Sequence, residues 1–363
     1  MKIMILVNIN LTNIYMCLYP RLIKNPKYIA NKKNGGVIPP VRDIRVLHVP
    51  IGCGKCMECK RKKAREWQVR LQEDLRINKN AYFVTYTFSN EELHKLENEI
   101  DKNILGYDRD NEVCRLAIRR YTERWRKKYK STLRHWLVTE LGSKNTERVH
   151  IHGIVWTKYY KDIEKIWKYG KTYIGEYVND KTINYIVKYV NKVDQKHKQY
   201  NSKIFTSKGI GKNYINRNDS KLNKYNDKKE TKETYTTRTG IKLGLPIYYR
   251  NKIYNDEERE KLWLEKLDKG IRWINGIKVD VSKDDKEYFK ILKEERARNK
   301  RLGYGDNQIN WEQKIYETQL RNQKKKERTE NLEKKYKKKI YIEPTEEIKQ
   351  EYIPTMNNNK DIW

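Results

Sequence analysis

Two histidines and two tyrosines stand at spacings that would let each pair act together. His150 and His152 lie in the stretch Arg148–Trp156, where Val, Ile and Trp among polar residues predict a β-strand. Because side chains alternate between the two faces of a strand, both imidazoles are expected on one face, where they could hold one divalent metal ion. Tyr185 and Tyr189 are four residues apart on a later helical pattern, so they are expected to share a helix face.

Neither pair is specific by itself. A His-x-His pattern arises easily by chance, and in a chain with 28 tyrosines a Tyr-x-x-x-Tyr pair can be an ordinary core-facing stripe. Together, a metal site and two phenols indicate metal-assisted attack of tyrosine on a DNA phosphate. An Mg²⁺ or Mn²⁺ ion would polarise the phosphate, and Lys188 and Lys192 would favour the phenolate of Tyr185 or Tyr189. Attack would leave a 5′-phosphotyrosine and a free 3′-hydroxyl, and the two tyrosines could take turns.

A third metal ligand is expected from the strand before the histidines. Residues 134–140 form a second strand pattern, and a polar loop at 142–145 separates it from the histidine strand, which predicts an antiparallel hairpin. In an even register Glu140 shares the face of the histidines and would be the third ligand. The alternative is a carboxylate exposed at the edge of the loop.

The charge of the chain points to a polyanionic partner. Lys and Arg number 81 against 48 Asp and Glu, which gives a formal net charge of +33. No neutral partner requires this excess, whereas nucleic acid does, and 28 Tyr with 9 Trp supply rings on which unpaired bases can stack. The predicted phosphate contacts are Arg119 and Arg120 on a helical segment, and Lys208 and Lys212 in a glycine-containing loop. The alternative for these residues is an ordinary solvated face.

Three of the five cysteines are crowded at Cys53, Cys56 and Cys59, which makes a poor disulfide framework and suits a reducing cytosol. Two-residue gaps let thiolates converge on one metal ion. Cys17 or His48 would be the fourth ligand of a structural zinc site, and plain reduced thiols are the alternative. No stretch approaches the roughly twenty apolar residues of a membrane span, and residues 1–15 lack the cleavage site of a signal peptide.

In order and spacing, several motifs resemble the rolling-circle replication initiators of small single-stranded DNA bacteriophages (microviruses), closest to the gokushovirus branch, which belong to the HUH (His-hydrophobe-His) endonucleases. The resemblance covers most of residues 16–255. It is carried by Cys17 with Lys24-Asn25-Pro26, the run from Cys53 through Cys56 and Cys59 to Trp67, the strand from Phe83 to Phe88, His150-Ile151-His152, the helix from Tyr185 to Lys192, Gly209-Ile210-Gly211, and Pro246 with Tyr248-Tyr249.

The resemblance implies an α+β fold with a central antiparallel sheet and flanking helices. It also implies that His150 and His152 bind the metal ion, and that Tyr185 and Tyr189 nick and rejoin one DNA strand at a phage origin in the cytoplasm of a bacterial host. A host helicase is expected as a partner, because the chain has no phosphate-binding ATPase loop. One departure concerns Glu140-Leu141-Gly142, which stands where relatives carry Gly-Glu-Tyr-Gly.

Four segments are predicted on this basis. Residues 1–52 form a loop-rich segment, 53–80 the cysteine cluster and a basic helix, 81–255 the nicking and joining domain, and 256–363 a charged helical tail that either binds DNA or is partly disordered. Two other functions remain open. One is a non-catalytic, basic nucleic-acid-binding protein with a packaging or regulatory role. The other is a zinc-dependent transcription regulator built on the cysteines.

Overall fold

The computed structural model describes residues 17–142 and 147–342, with side chains described up to residue 337. The first fifteen residues, most of the predicted hairpin loop and the end of the predicted tail therefore lie outside the described residues. No helix within the described residues is long and apolar enough to cross a membrane.

Eleven strands and ten α-helices make up the described residues. The strands are β1 (Arg21–Lys24), β2 (His48–Ile51), β3 (Ala81–Tyr86), β4 (Arg134–Leu141), β5 (Val149–Trp156), β6 (Thr172–Gly175), β7 (Ile204–Thr206), β8 (Thr234–Thr236), β9 (Lys242–Gly244), β10 (Ile271–Ile274) and β11 (Ile277–Asp280). The helices are α1 (Met57–Ile77), α2 (Asn90–Asn98), α3 (Gly106–Tyr129), α4 (Ile163–Trp167), α5 (Asp180–Asn191), α6 (Asn218–Lys221), α7 (Ile247–Ile253), α8 (Asp256–Asp268), α9 (Lys286–Arg301) and α10 (Trp311–Ile342).

The centre of the fold is a five-stranded sheet in the order β6-β3-β5-β4-β7, and every neighbouring pair in it is antiparallel. The histidine strand β5 is the middle strand, so its backbone is hydrogen-bonded on both sides. This arrangement confirms the predicted α+β fold with a central antiparallel sheet, and it confirms the predicted hairpin of β4 and β5.

Helices cover both faces of the sheet. On one face Ile151 and Val155 of β5 pack in a core with α3 residues such as Tyr121 and Trp125. On the other face Ile154 packs in a second core with residues of α1 and α5. Because side chains alternate along a strand, the even-numbered His150 and His152 belong to the face covered by α1 and α5.

The tyrosine helix α5 follows from its sequence. Asn179 accepts hydrogen bonds from the backbone at residues 181 and 182, and the Thr182 side chain bonds back to the Asn179 backbone, which completes a capping box. Its apolar residues are spaced three or four apart and are buried on the sheet: Ile183, Ile186, Val187 and Val190. The tyrosines therefore lie at the edge of this apolar stripe rather than in its centre.

The described part of the predicted tail packs on the rest of the chain. The hairpin of β10 and β11 and helix α9 share a core with the cysteine region. Helix α10 lies on α2 and α3, where Arg321 donates two hydrogen bonds to Asp110 at 2.8 and 3.0 Å, with both side chains nearly buried. The division into four segments stays a prediction.

We expect Asp110→Ala to lower the free energy of unfolding by about 3–5 kcal/mol, because it leaves the Arg321 guanidinium buried without its carboxylate. Urea denaturation measures this effect. Arg119→Ala on the same helix is the matched control, since its pair with Glu123 is about half exposed on both sides, and it should change stability by less than about 0.5 kcal/mol. Equal effects of the two substitutions would contradict a stabilising role for the docking of α10.

Candidate active site

The register of β4 and β5 places the three predicted metal ligands side by side. Glu140 pairs directly with His150, and Val138 pairs with His152. Glu140 therefore lies on the same face as both histidines. Its Oε2 atom is 2.9 Å from His152 Nε2, and the two side chains are 18% and 12% exposed, so substrate can reach this contact only from one side.

His152 is fixed by two further contacts. On the neighbouring strand β3, Thr85 Oγ1 lies 3.0 Å from His152 Nδ1. On the helix side, the Tyr189 ring stacks on the imidazole with a centroid distance of 4.3 Å and an interplanar angle of 2°. When Nδ1–H donates to Thr85, the Nε2 lone pair points toward Glu140, which is the tautomer that a metal ligand requires. Thr85 was not among the predicted site residues.

Glu140 is the negative group of the site. Burial by itself would raise its pKa, but hydrogen bonds from His152 and Lys192 outweigh burial and lower the pKa of Glu140 below its ordinary value. Lys192 is the C-cap of α5, and its Nζ forms an ion pair with Glu140 Oε1. The predicted Lys192 thus reaches the site, whereas Lys188 is exposed on the same helix.

His150 completes the set of nitrogen and oxygen donors. Burial, and then repulsion from His152, lower its pKa, so the imidazole is neutral at physiological pH, as metal binding requires. Its ring centroid lies 6.4 Å from that of His152. These donors are less tightly gathered than the cysteines: within the described residues, only Cys17, Cys53, Cys56 and Cys59 bring three or more ligand atoms within 4.8 Å of one another. Two imidazoles and a carboxylate are chemically suited to a divalent ion, and a closer approach needs only rotation of side chains.

The two tyrosines touch each other through their hydroxyl groups. Tyr189 donates a hydrogen bond of 2.8 Å to Tyr185. Burial, the bond to Tyr185 and the charge of Glu140 raise the pKa of Tyr189 well above its ordinary value. Tyr185 is 51% exposed. The outer phenol is thus open to a substrate, and the inner phenol stays protonated as its hydrogen-bond donor.

The four predicted DNA contacts do not lie beside the histidines. Arg119 and Arg120 belong to α3 on the opposite face of the sheet, where Arg120 donates to Glu99 at 2.8 Å. Lys208 and Lys212 flank a turn whose Gly209 carbonyl accepts a hydrogen bond from Arg134, at the end of β4 remote from Glu140. A role for these four residues in DNA binding stays a prediction.

Two lysines near the site were missing from the predicted set. Lys60 and Lys63 lie one turn apart on α1, and Lys60 Nζ is 3.4 Å from the Lys192 carbonyl oxygen. Burial, and then the charge of Lys63, lower the pKa of Lys60, which means that positive charges are crowded here. The spacing of these lysines beside the apolar residues of α1 is a sequence signal, but it is a weak one in a chain with so many lysines.

The cysteine centre consists of Cys17, Cys53, Cys56 and Cys59, and it can hold a metal ion such as zinc. Cys17 rather than His48 is the fourth member. Its Sγ accepts a hydrogen bond from the Cys53 backbone at 3.2 Å and lies 3.8 Å from Cys56 Sγ. The neighbouring thiols and the Cys56 backbone N–H lower the pKa of Cys53, which favours the thiolate that a metal ion binds. Four sulfur ligands match a closed structural zinc site.

With this geometry in place, the comparison with known families adds one finding. Residues 81–194 match the family model of the replication-associated protein ORF2. This is a rolling-circle replication initiator family, and the match supports a replication initiator that binds DNA. The matched segment holds Glu140, both histidines and both tyrosines. It covers less than half of the chain and leaves the cysteine centre and α1 outside. No curated protein and no solved structure matches the chain.

We expect Cys56→Ala to lose about one zinc ion per chain and to lower the free energy of unfolding by more than about 2 kcal/mol. Zinc content after dialysis and urea denaturation measure the two effects. Cys114→Ala is the matched control, because Cys114 is equally buried but lies in the core under α3. A zinc content that Cys56→Ala leaves unchanged would contradict a metal site at the cysteine centre.

Proposed function

We propose that this protein is an HUH-type endonuclease and strand transferase that initiates rolling-circle replication of a single-stranded DNA phage of the microvirus group, with a gokushovirus-like origin as its substrate. One observation carries the proposal. An unbroken series of contacts runs from Glu140 through His152 and Tyr189 to Tyr185, and it lies inside the segment that matches a replication-associated protein family.

In this proposal His150, His152 and Glu140 hold Mg²⁺ or Mn²⁺. When bound, the ion supplies Lewis-acid polarisation of the scissile phosphate. Thr85 holds the His152 ring in one orientation, and Lys192 keeps Glu140 ionised near neutral pH. Positive charge from Lys188 and from the crowded Lys60 would draw the DNA backbone toward the sheet.

Tyr185 is the first nucleophile in the proposed reaction, because it is exposed and accepts the hydrogen bond from Tyr189. That bond stabilises negative charge on the Tyr185 oxygen as its proton leaves. The bond from the Tyr185 oxygen to phosphorus forms while the bond from phosphorus to the 3′-oxygen breaks, and the 3′-oxygen takes up a proton. The products are a 5′-phosphotyrosine and a free 3′-hydroxyl.

Tyr189 is the second nucleophile. Its hydroxyl lies 2.8 Å from that of Tyr185, so a phosphate that one tyrosine reaches lies within a small shift of the other. A 3′-hydroxyl can reverse the first step and rejoin the strand, because the phosphotyrosine retains the energy of the broken bond. The proposed partners are single-stranded origin DNA, a host helicase and the replication machinery in the cytoplasm of the bacterial host.

The proposed domain division assigns the chemistry to residues 81–255 and a structural role to the segments around them. Zinc in the cysteine centre would fix the start of α1, whose other end packs on the sheet. Residues 256–342 then serve to hold both parts, through the contacts of α9 and α10.

The first test is formation of a covalent adduct between the protein and single-stranded DNA from the replication origin of its own genome, in Mn²⁺ or Mg²⁺. We expect wild type to form the adduct and Tyr185→Phe to reduce its rate by at least about 100-fold, because the outer hydroxyl is the nucleophile. The double variant with Tyr189→Phe should form none. Tyr316→Phe on α10, where Tyr316 is 61% exposed, is the matched control. Failure of wild type to form an adduct in either ion would refute the proposed function and leave a non-catalytic nucleic-acid-binding protein.

The second test concerns Thr85. We expect Thr85→Val to lower the cleavage rate at limiting metal concentration by about 10- to 100-fold, because it removes the hydroxyl that orients His152. Affinity for DNA should change less than about twofold, and saturating Mn²⁺ should restore part of the rate. Thr87→Val, which removes a hydroxyl bonded only to the Lys171 carbonyl, is the control. Unchanged metal dependence in Thr85→Val would show that Thr85 does not support a metal ligand.

A further inference from the structure

A row of aromatic rings extends from the tyrosines to the edge of the sheet. The Tyr185 ring contacts that of Phe83 on β3 at a centroid distance of 6.2 Å. Phe83 in turn contacts Tyr173 on β6 at 6.1 Å. Phe83 belongs to the core on the α1 and α5 side of the sheet, and Tyr173 pairs with Thr85. The row therefore lies on the same face as the histidines.

The outer end of this row is open to solvent. Tyr173 is 63% exposed and lies on an edge strand of the five-stranded sheet. A tyrosine ring with this exposure gains little from burial. Its plane is inclined by 67° to that of Phe83, so the two rings are not stacked face to face and the Tyr173 ring has room for another planar group.

We propose that Tyr173, supported by Phe83, is a stacking site for an unpaired DNA base that neighbours the phosphate attacked by Tyr185. Aromatic rings bind unpaired bases of any sequence, because every base has a π face. The row begins at the exposed phenol of the candidate active site and continues without a break to an exposed ring, so a strand placed at Tyr185 passes over Tyr173. This inference rests on the proposed function, which supplies the single-stranded substrate.

Binding of labelled thymidine oligonucleotides, followed by fluorescence anisotropy at several salt concentrations, tests the site. We expect Tyr173→Ala to weaken binding of single-stranded DNA by about tenfold and Tyr173→Phe to keep wild-type affinity. The slope of log affinity against log salt should not change, since no phosphate contact is lost. Binding of duplex DNA should also stay the same, because its bases are already stacked on one another.

Tyr316→Ala on α10 is the matched control, with nearly the same exposure as Tyr173. A Tyr173→Ala affinity equal to that of this control would overturn the stacking site, and so would an equal loss for single-stranded and duplex DNA. Circular dichroism of Tyr173→Ala checks the fold, and Tyr173→Phe keeps the test valid if that variant is unstable. Adduct formation by wild type is scored separately. An adduct with unchanged Tyr173→Ala affinity removes only the stacking site, whereas no adduct with a tenfold affinity loss removes only the proposed chemistry.

Discussion

The register of β4 against β5 is the constraint on which the candidate site depends. It sets Glu140 opposite His150 and brings the carboxylate to His152. A slip of one residue would turn Glu140 to the other face of the sheet, into the core beneath α3. The middle position of β5 fixes this register from both sides, because β3 pairs with its other edge and presents Thr85 to His152. The histidines are thus held by the sheet itself rather than by a loop.

Charge organises the remainder of the site around Glu140. This carboxylate bonds to His152 and Lys192, which ties the end of α5 to the sheet. Its negative charge also helps to keep Tyr189 protonated. Tyr189 can then donate to Tyr185 and stack on His152 at the same time. One carboxylate in this position therefore distinguishes two tyrosines that have the same sequence context.

Local periodicity explains which features could be predicted from the sequence. Strand alternation and a short loop predict the hairpin with Glu140 and the histidines on one face, and a four-residue spacing predicts that Tyr185 and Tyr189 meet. Thr85 could not be predicted, because its contact depends on which strand pairs with β5. Arg120 was expected near DNA, but α3 packs on the opposite face, a choice made by the apolar residues of two cores. Arg321 finds Asp110 across 211 residues, and no local pattern indicates that contact.

The parts of the chain outside the matched segment also bear on the tyrosine helix. The Met57 backbone next to Cys56 donates to Asn299 Oδ1 at 2.9 Å, and Asn299 Nδ2 donates to the Tyr304 carbonyl at 3.2 Å. The Tyr304 hydroxyl reaches Asn191, the last residue of α5, at 3.4 Å. A physical connection thus runs from the cysteine centre through the C-terminal segment to the helix of Tyr185 and Tyr189. Because productive attack requires the nucleophile to be held within a fraction of an ångström, the cysteine centre and the C-terminal helices contribute to the geometry of a site whose ligands all lie in residues 81–194.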